Sequence, residues 1–183
     1  MIAALRRRRW SLAWLTLAIG VAVVLGWLAT VPLLRADPDG RIGLQVGEPA
    51  PALELHDLEG RTWSIDDADG RLVWINFWAT SCEPCRTEMP AMQRLAEAYG
   101  DRLLVLGVDW GEEAEVVADF VRRYAIGYPI LLDPGLDAYY RWAASDGLPR
   151  HYFVGAQGTV LREIVGPLDP DRMVRIVEEL LES

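Results

Sequence analysis

The spacing of apolar residues along the chain changes several times, and each change marks an element. Trp10–Leu34 is twenty-five residues without a charge. Arg35–Pro51 (RADPDGRIGLQVGEPAP) then mixes proline, glycine and charge, the composition of a linker. Leu53-Glu54-Leu55-His56 alternates as a half-buried strand does, and Leu58-Glu59-Gly60-Arg61 before Thr62–Ile65 predicts a hairpin partner. His56 falls on the polar side of that alternation and reads as a surface histidine. Leu72–Trp78 is an apolar run rich in β-branched and aromatic residues, which predicts a strand buried on both faces. After a break at Ala79-Thr80-Ser81, Arg86–Tyr99 carries Met89, Met92, Leu95, Ala96 and Tyr99 at helical spacing. Leu103–Val108 is a second buried strand, and Glu112–Tyr124 is an amphipathic helix with Val116, Val117, Phe120 and Val121 on its apolar face. Ile130–Leu132 predicts a short strand and Leu136–Ala144 a short helix. His151–Val154 and Val160–Val165 form a hairpin across Gly155–Gly158, and Asp171–Leu181 closes the chain as a helix. Strands alternating with helices, closed by a hairpin, predict an α/β fold with a mixed sheet and helices on both faces.

Length leaves room for one domain and a short appendage, since the chain has 183 residues. Arg6–Arg9 precede the uncharged run. At about 1.5 Å per residue a helix of that length spans roughly 37 Å, enough to cross a hydrocarbon core of about 30 Å. Signal-peptide apolar regions are shorter and end in a small-residue cleavage site. Leu34-Arg35-Ala36 is a poor one, so we read an uncleaved anchor, with a removed signal peptide as the alternative. The positive-inside rule then makes residues 1–9 a cytoplasmic basic segment, 10–34 a single-pass anchor, 35–51 a linker and 52–183 a domain outside the cytoplasm. All 18 basic residues are arginine; five precede residue 36, and all 27 acidic residues follow it. Thirteen arginines against 27 acids make a basic surface for nucleic acid a poor expectation.

The candidate chemistry lies between the first buried strand and its helix, at Cys82-Glu83-Pro84-Cys85, the chain's two cysteines. A sulfur at the mouth of a helix sits among unpaired backbone N–H groups at the positive end of the dipole, which favours thiolate over thiol. The second sulfur, one turn in, is placed to attack a mixed disulfide formed by the first. Pro84 is tolerated because the first turn has no intrahelical partner for the N–H it lacks. Zinc would need four ligands, and Cys82, Cys85, His56 and His151 lack paired spacing. A purely structural disulfide closing so small a loop gains only about 2 kcal/mol. Glu88, three residues after Cys85, falls on the same helical face, where a partly buried carboxylate would raise the thiol pKa values and exchange protons with Cys85.

Trp78-Ala79-Thr80-Ser81-Cys82-Glu83-Pro84-Cys85, with Glu88 and Pro90 behind it and Gly147-Leu148-Pro149 and Phe153–Gly158 far downstream, resembles the thioredoxin superfamily. It is most similar to the TlpA/ResA/CcmG (DsbE)-type branch of membrane-anchored thiol–disulfide oxidoreductases, over roughly residues 47–181. The resemblance implies a thioredoxin-like fold without cofactor or metal, with Cys82 as exposed nucleophile and Cys85 as resolving thiol. It makes Glu88 the acid kept near the sulfurs and Pro149 a cis-proline against them. Trp78, Ser81, Glu83, Pro84, Leu148 and Arg150 become the surface that meets a client, with the Leu148 backbone pairing an extended substrate segment. It further implies a bacterial inner-membrane setting with the domain in the periplasm or its equivalent. The client would be a protein with a disulfide, apocytochrome c in cytochrome c maturation or a copper-site protein, and the electron source a membrane thiol donor of the CcdA/DsbD type.

Two positions depart from that branch. Ser81 stands where tryptophan is usual, and Arg150-His151 where threonines or a Glu-Thr pair are common. A cation near Cys82 would lower its pKa and oppose Glu88. His151 either faces the site or points away from it as a strand residue. A Cu(I)-handling module built on the two thiolates and a net disulfide oxidant are the alternative functions.

Overall fold

The structure, a computed structural model, describes residues 44, 46–143 and 145–182. The basic segment, the anchor and most of the linker lie outside the described residues. Among the described residues no helix is long and apolar enough to cross a membrane.

Seven strands make one mixed sheet: β1 (Glu54–Asp57), β2 (Thr62–Ser64), β3 (Leu72–Trp78), β4 (Leu103–Asp109), β5 (Ile130–Leu132), β6 (Arg150–Val154) and β7 (Val160–Val165), in the order β2-β1-β5-β4-β3-β6-β7. β3, β4 and β5 run parallel, and the remaining pairings are antiparallel. The helices are α1 (Glu83–Ala98), α2 (Ala114–Tyr124), α3 (Asp137–Trp142) and α4 (Pro170–Leu181). This is the thioredoxin-like α/β architecture that the sequence predicts.

The uniformly apolar β3 and β4 are buried along their whole length, as central parallel strands must be when both faces are covered. Val73, Ile75 and Phe77 enter one core with Leu104, Leu106, Tyr139, Trp142 and Tyr152, beneath α3. Trp74 and Trp78 enter the other with Cys85, Met89, Met92, Phe120, Met173 and Val177, beneath α1, α2 and α4. Gly107 keeps the second core closed: a Cβ there would lie 2.7 Å from Ile130 Cδ1 and 3.2 Å from Trp78 Nε1.

Element bounds shift by a residue or a few from those expected, and three differences bear on the domain. α1 begins at Glu83, three residues before its apolar period, because Cys82 caps it. Val116 is exposed rather than on the inner face of α2. The end of the predicted linker belongs to the domain: Gly47 N–H donates to Val160 O at 2.8 Å, and Ala50 N–H to Gly158 O at 2.8 Å.

Candidate active site

β3 delivers the chain to the sheet's end, where Ala79–Ser81 turns and Cys82 becomes the N-cap of α1. The Cys85 N–H donates to Cys82 Sγ at 3.3 Å, so the first sulfur takes a capping position that a serine oxygen more often fills. Cys82 and Cys85 are joined as a disulfide with Cα atoms 5.3 Å apart. The two sulfurs are unequal. Cys82 is half-buried, flanked by exposed Ser81, Glu83 and Pro84, while Cys85 is fully buried. Attack from outside is therefore directed at Cys82, and Cys85 is reached only through it.

The turn before Cys82 is clamped from β4. Thr80 donates its N–H to Glu112 Oε2 at 2.5 Å and its hydroxyl to Glu112 Oε1 at 2.6 Å. Glu112 N–H in turn donates to Asp109 Oδ2 at 2.7 Å. Burial first, and then the neighbouring Glu112 carboxylate, push the Asp109 carboxyl above its ordinary range.

The Leu148–Pro149 bond is cis. β6 pairs antiparallel with β3 and sets Arg150 opposite Phe77, so Pro149 lies at the same end of the sheet as the turn into Cys82. Pro149 is buried and Leu148 half-buried, and Pro149 O accepts from Gly166 N–H at 2.9 Å.

Glu88 is buried on α1, one turn beyond Cys85. Its Oε2 accepts from the Leu168 N–H at 3.1 Å; its Oε1 lies 3.5 Å from Asn76 Nδ2 and 3.4 Å from His151 Nε2. Burial pushes the carboxyl up to about 8, although the Leu168 and Asn76 donors act against it. His151, on β6 opposite Asn76, is fully buried and points into this cluster, which resolves the choice the sequence left open. Its Nδ1 lies 3.2 Å from both Trp74 Nε1 and Asn76 Nδ2. Burial, with the Arg172 charge adding to it, pushes the imidazole down to about 3, so it is neutral.

Two of the residues expected at the client surface are elsewhere. Trp78 is fully buried with its ring 5.0 Å from Phe120, because the last residue of a doubly covered strand belongs to the core. Arg150 is also buried and shares the Tyr152 face of the sheet, opposite to the face of Cys85. Its guanidinium pairs with Glu163 at 2.6 Å and donates to Ser145 O at 2.7 Å, so it offers Cys82 no free cation. Sequence reasoning passed over Asn76 and the Leu168 N–H as partners of Glu88, and Trp74 as the partner of His151. Asn76, the polar residue inside an otherwise apolar strand, was the available signal.

Comparison with known proteins agrees with this geometry. Residues 46–162 match the AhpC/TSA family. The chain is 38% identical over 136 residues to the thioredoxin-like protein YneN of Bacillus subtilis, covering 72% of this chain and 78% of that one. It is 30% identical over 182 residues to the thiol-disulfide oxidoreductase ResA of Halalkalibacterium halodurans, covering 97% and 95%. Among solved structures it resembles a thioredoxin-family thiol:disulfide interchange protein of Chlorobium tepidum, with a TM-score of 0.67 and 27% identity over 76% of this chain and 99% of that one. A half-buried cysteine bonded to a buried one at a helix mouth, on this fold and with these relatives, makes the chain a member of the AhpC/TSA thioredoxin-like family and a thiol–disulfide oxidoreductase of the ResA/DsbE type.

Proposed function

We propose that the protein works on the outer face of the bacterial inner membrane as a reductant of disulfides in client proteins, apocytochrome c or a copper-site protein. The observation that carries this reading is the pairing of an accessible Cys82 with a buried Cys85 backed by Glu88. In the reduced enzyme the Cys82 thiolate, favoured by the N–H groups of the first turn, attacks a client disulfide. A mixed disulfide forms, and one client thiolate leaves and takes a proton from solvent. The Glu88 carboxylate then accepts the Cys85 proton. Cys85 attacks Cys82 Sγ, the second client thiolate departs and is protonated, and the enzyme is left as the disulfide. Two electrons pass from enzyme to client; a membrane dithiol of the CcdA/DsbD type restores them. Exposed Ser81, Glu83 and Pro84 and the Leu148 backbone form the client surface. The net-oxidant alternative drew on Arg150 and on Ser81 in place of tryptophan, and the Glu163 pair withdraws the first of these supports.

Trapping tests the reading. Cys85→Ser should accumulate a client joined to Cys82 that a reductant releases, and Cys82→Ser should trap nothing and reduce nothing. If Cys85→Ser turned over normally, the resolving role would be lost. A dithiol equilibrating with glutathione near about −120 mV, the strong-oxidant end of the scale, would reverse the proposed direction.

A further inference from the structure

The Glu88 cluster contains one group that the exchange reaction has not used. An indole N–H only donates, so Trp74 Nε1 beside His151 Nδ1 at 3.2 Å requires Nδ1 to be the acceptor. The imidazole hydrogen therefore sits on Nε2. That atom is buried and lies 3.4 Å from Glu88 Oε1, short of a hydrogen bond, with the Gly166 backbone as a competing acceptor. The contact is longer than an ordinary hydrogen bond. A carboxylate accepts more strongly and would draw the N–H in.

We propose that His151 is a positioning residue for the resolving step: Trp74 fixes it as the neutral tautomer with hydrogen on Nε2, and that N–H holds the Glu88 carboxylate ready to take the Cys85 proton. The inference rests on the reading in which Glu88 accepts that proton. His151 is not itself the base. Charging it would place hydrogen on Nδ1, against the Trp74 N–H and Asn76 Nδ2. The groups that face the pair are Asn76 from β3, the Leu168 N–H and Arg172 from the α4 end, and Tyr128 from the segment before β5. Cys85 stands one turn before Glu88 on α1, and the Gly166 backbone competes for the imidazole hydrogen. In the branch that this chain resembles, threonine is common at this position; the imidazole adds a longer-reaching donor with no hydroxyl rotor.

Nitrogen-15 spectra of wild-type His151, in the disulfide form, should show a neutral ring protonated on Nε2 from about pH 5 to about pH 9. An Nδ1-protonated or charged ring there overturns the proposal. Carbon-13 titration of Glu88 in the same form supplies the second readout. His151→Phe should move its midpoint upward by about one unit, the effect of losing one charge-assisted donor, and shift the pH profile of mixed-disulfide resolution the same way. His151→Gln, whose amide N–H can occupy the Nε2 position, should return both towards wild type. An unmoved Glu88 in folded His151→Phe, or a Gln variant as shifted as Phe, overturns the proposal. If His151→Phe does not fold, the wild-type tautomer and the Gln variant still decide. Both spectra are read without a client. A protein with these spectra that reduces no disulfide loses the reductase reading alone, and an active protein without them loses the pairing alone.

Discussion

At Glu88 two effects oppose each other: burial favours the neutral acid, and the Leu168 and Asn76 N–H groups favour the anion. Burial prevails and lifts the group from 4.5 to about 8. In that window the folded protein holds a proton that the unfolded chain has released, so the Glu88 contribution to stability is complete below pH 4.5 and is lost as pH rises through about 8. The upper limit of the loss is about 5 kcal/mol, and relaxation of the site reduces it. Glu88→Gln should therefore stabilise the disulfide form at pH 9 by about 2–4 kcal/mol and confer little near pH 4.5; urea titrations of both proteins at the two pH values measure the difference. A gain equal at both pH values would mean that the carboxyl is not held up by burial. His151 contributes with the opposite sign, present above its ordinary 6.5 and lost as pH falls towards about 3. Glu88 was legible in the sequence because three residues after a cysteine is one helical turn. Its partners were not, because β3 is buried on both faces and its spacing does not say which core Asn76 enters. The same limit misplaced Trp78 and Arg150, whose surroundings depend on which helix or strand covers them.

Between residue and fold, what fixes Cys82 is the junction of a strand, a turn and a helix. The cap comes from Cys82 itself, and the turn is held by the Thr80–Glu112 hydrogen bonds across to the end of β4. α1 continues through Pro90, so the residue that interrupts its backbone hydrogen bonding does not end it, as the apolar spacing on to Tyr99 predicts. Glu112→Ala leaves the Thr80 N–H without its partner and should cost about 1–3 kcal/mol, read as a lower urea midpoint. It should also let the Asp109 carboxyl fall back towards its ordinary range, since the Glu112 carboxylate is one of the groups raising it. A variant with an unchanged midpoint would show that the clamp does not hold the turn. Gly107→Ala is expected to loosen the same region from beneath, by about 1–3 kcal/mol of overpacking, because the added methyl meets Ile130 and Trp78. The strands and helices were legible because period 2, period 3.6 and uninterrupted apolar runs each have one structural solution. The Thr80–Glu112 bond joins residues 32 apart, which local spacing cannot pair.

For the whole molecule, the chemistry described here lies in a domain that contains its own two cores, while the proposed setting depends on residues 1–34, which lie outside the described residues. These two parts of the account can be tested separately, because the chain's two cysteines are both in the active site and no other thiol can react. The full chain is expressed in cells whose outer layers admit a charged maleimide that cannot cross the inner membrane. After mild reduction, Cys82 should be labelled in intact cells as fully as after lysis. Labelling only after lysis would put the domain in the cytoplasm and remove the proposed clients and donor, though not the exchange chemistry. Cys82→Ser supplies the control, since Cys85 is fully buried and should label at least tenfold more slowly in a folded protein, as expected where thiol reactivity follows access. Equal labelling of that variant would contradict the division between attacking and resolving sulfur. The expectation of an anchor rests on length and lack of charge alone, and the direction expected of it on four arginines. The asymmetry of the two sulfurs, expected from the resemblance and from the place of Cys85 one turn in, has its physical cause in a cap residue standing outside the core that its own helix closes.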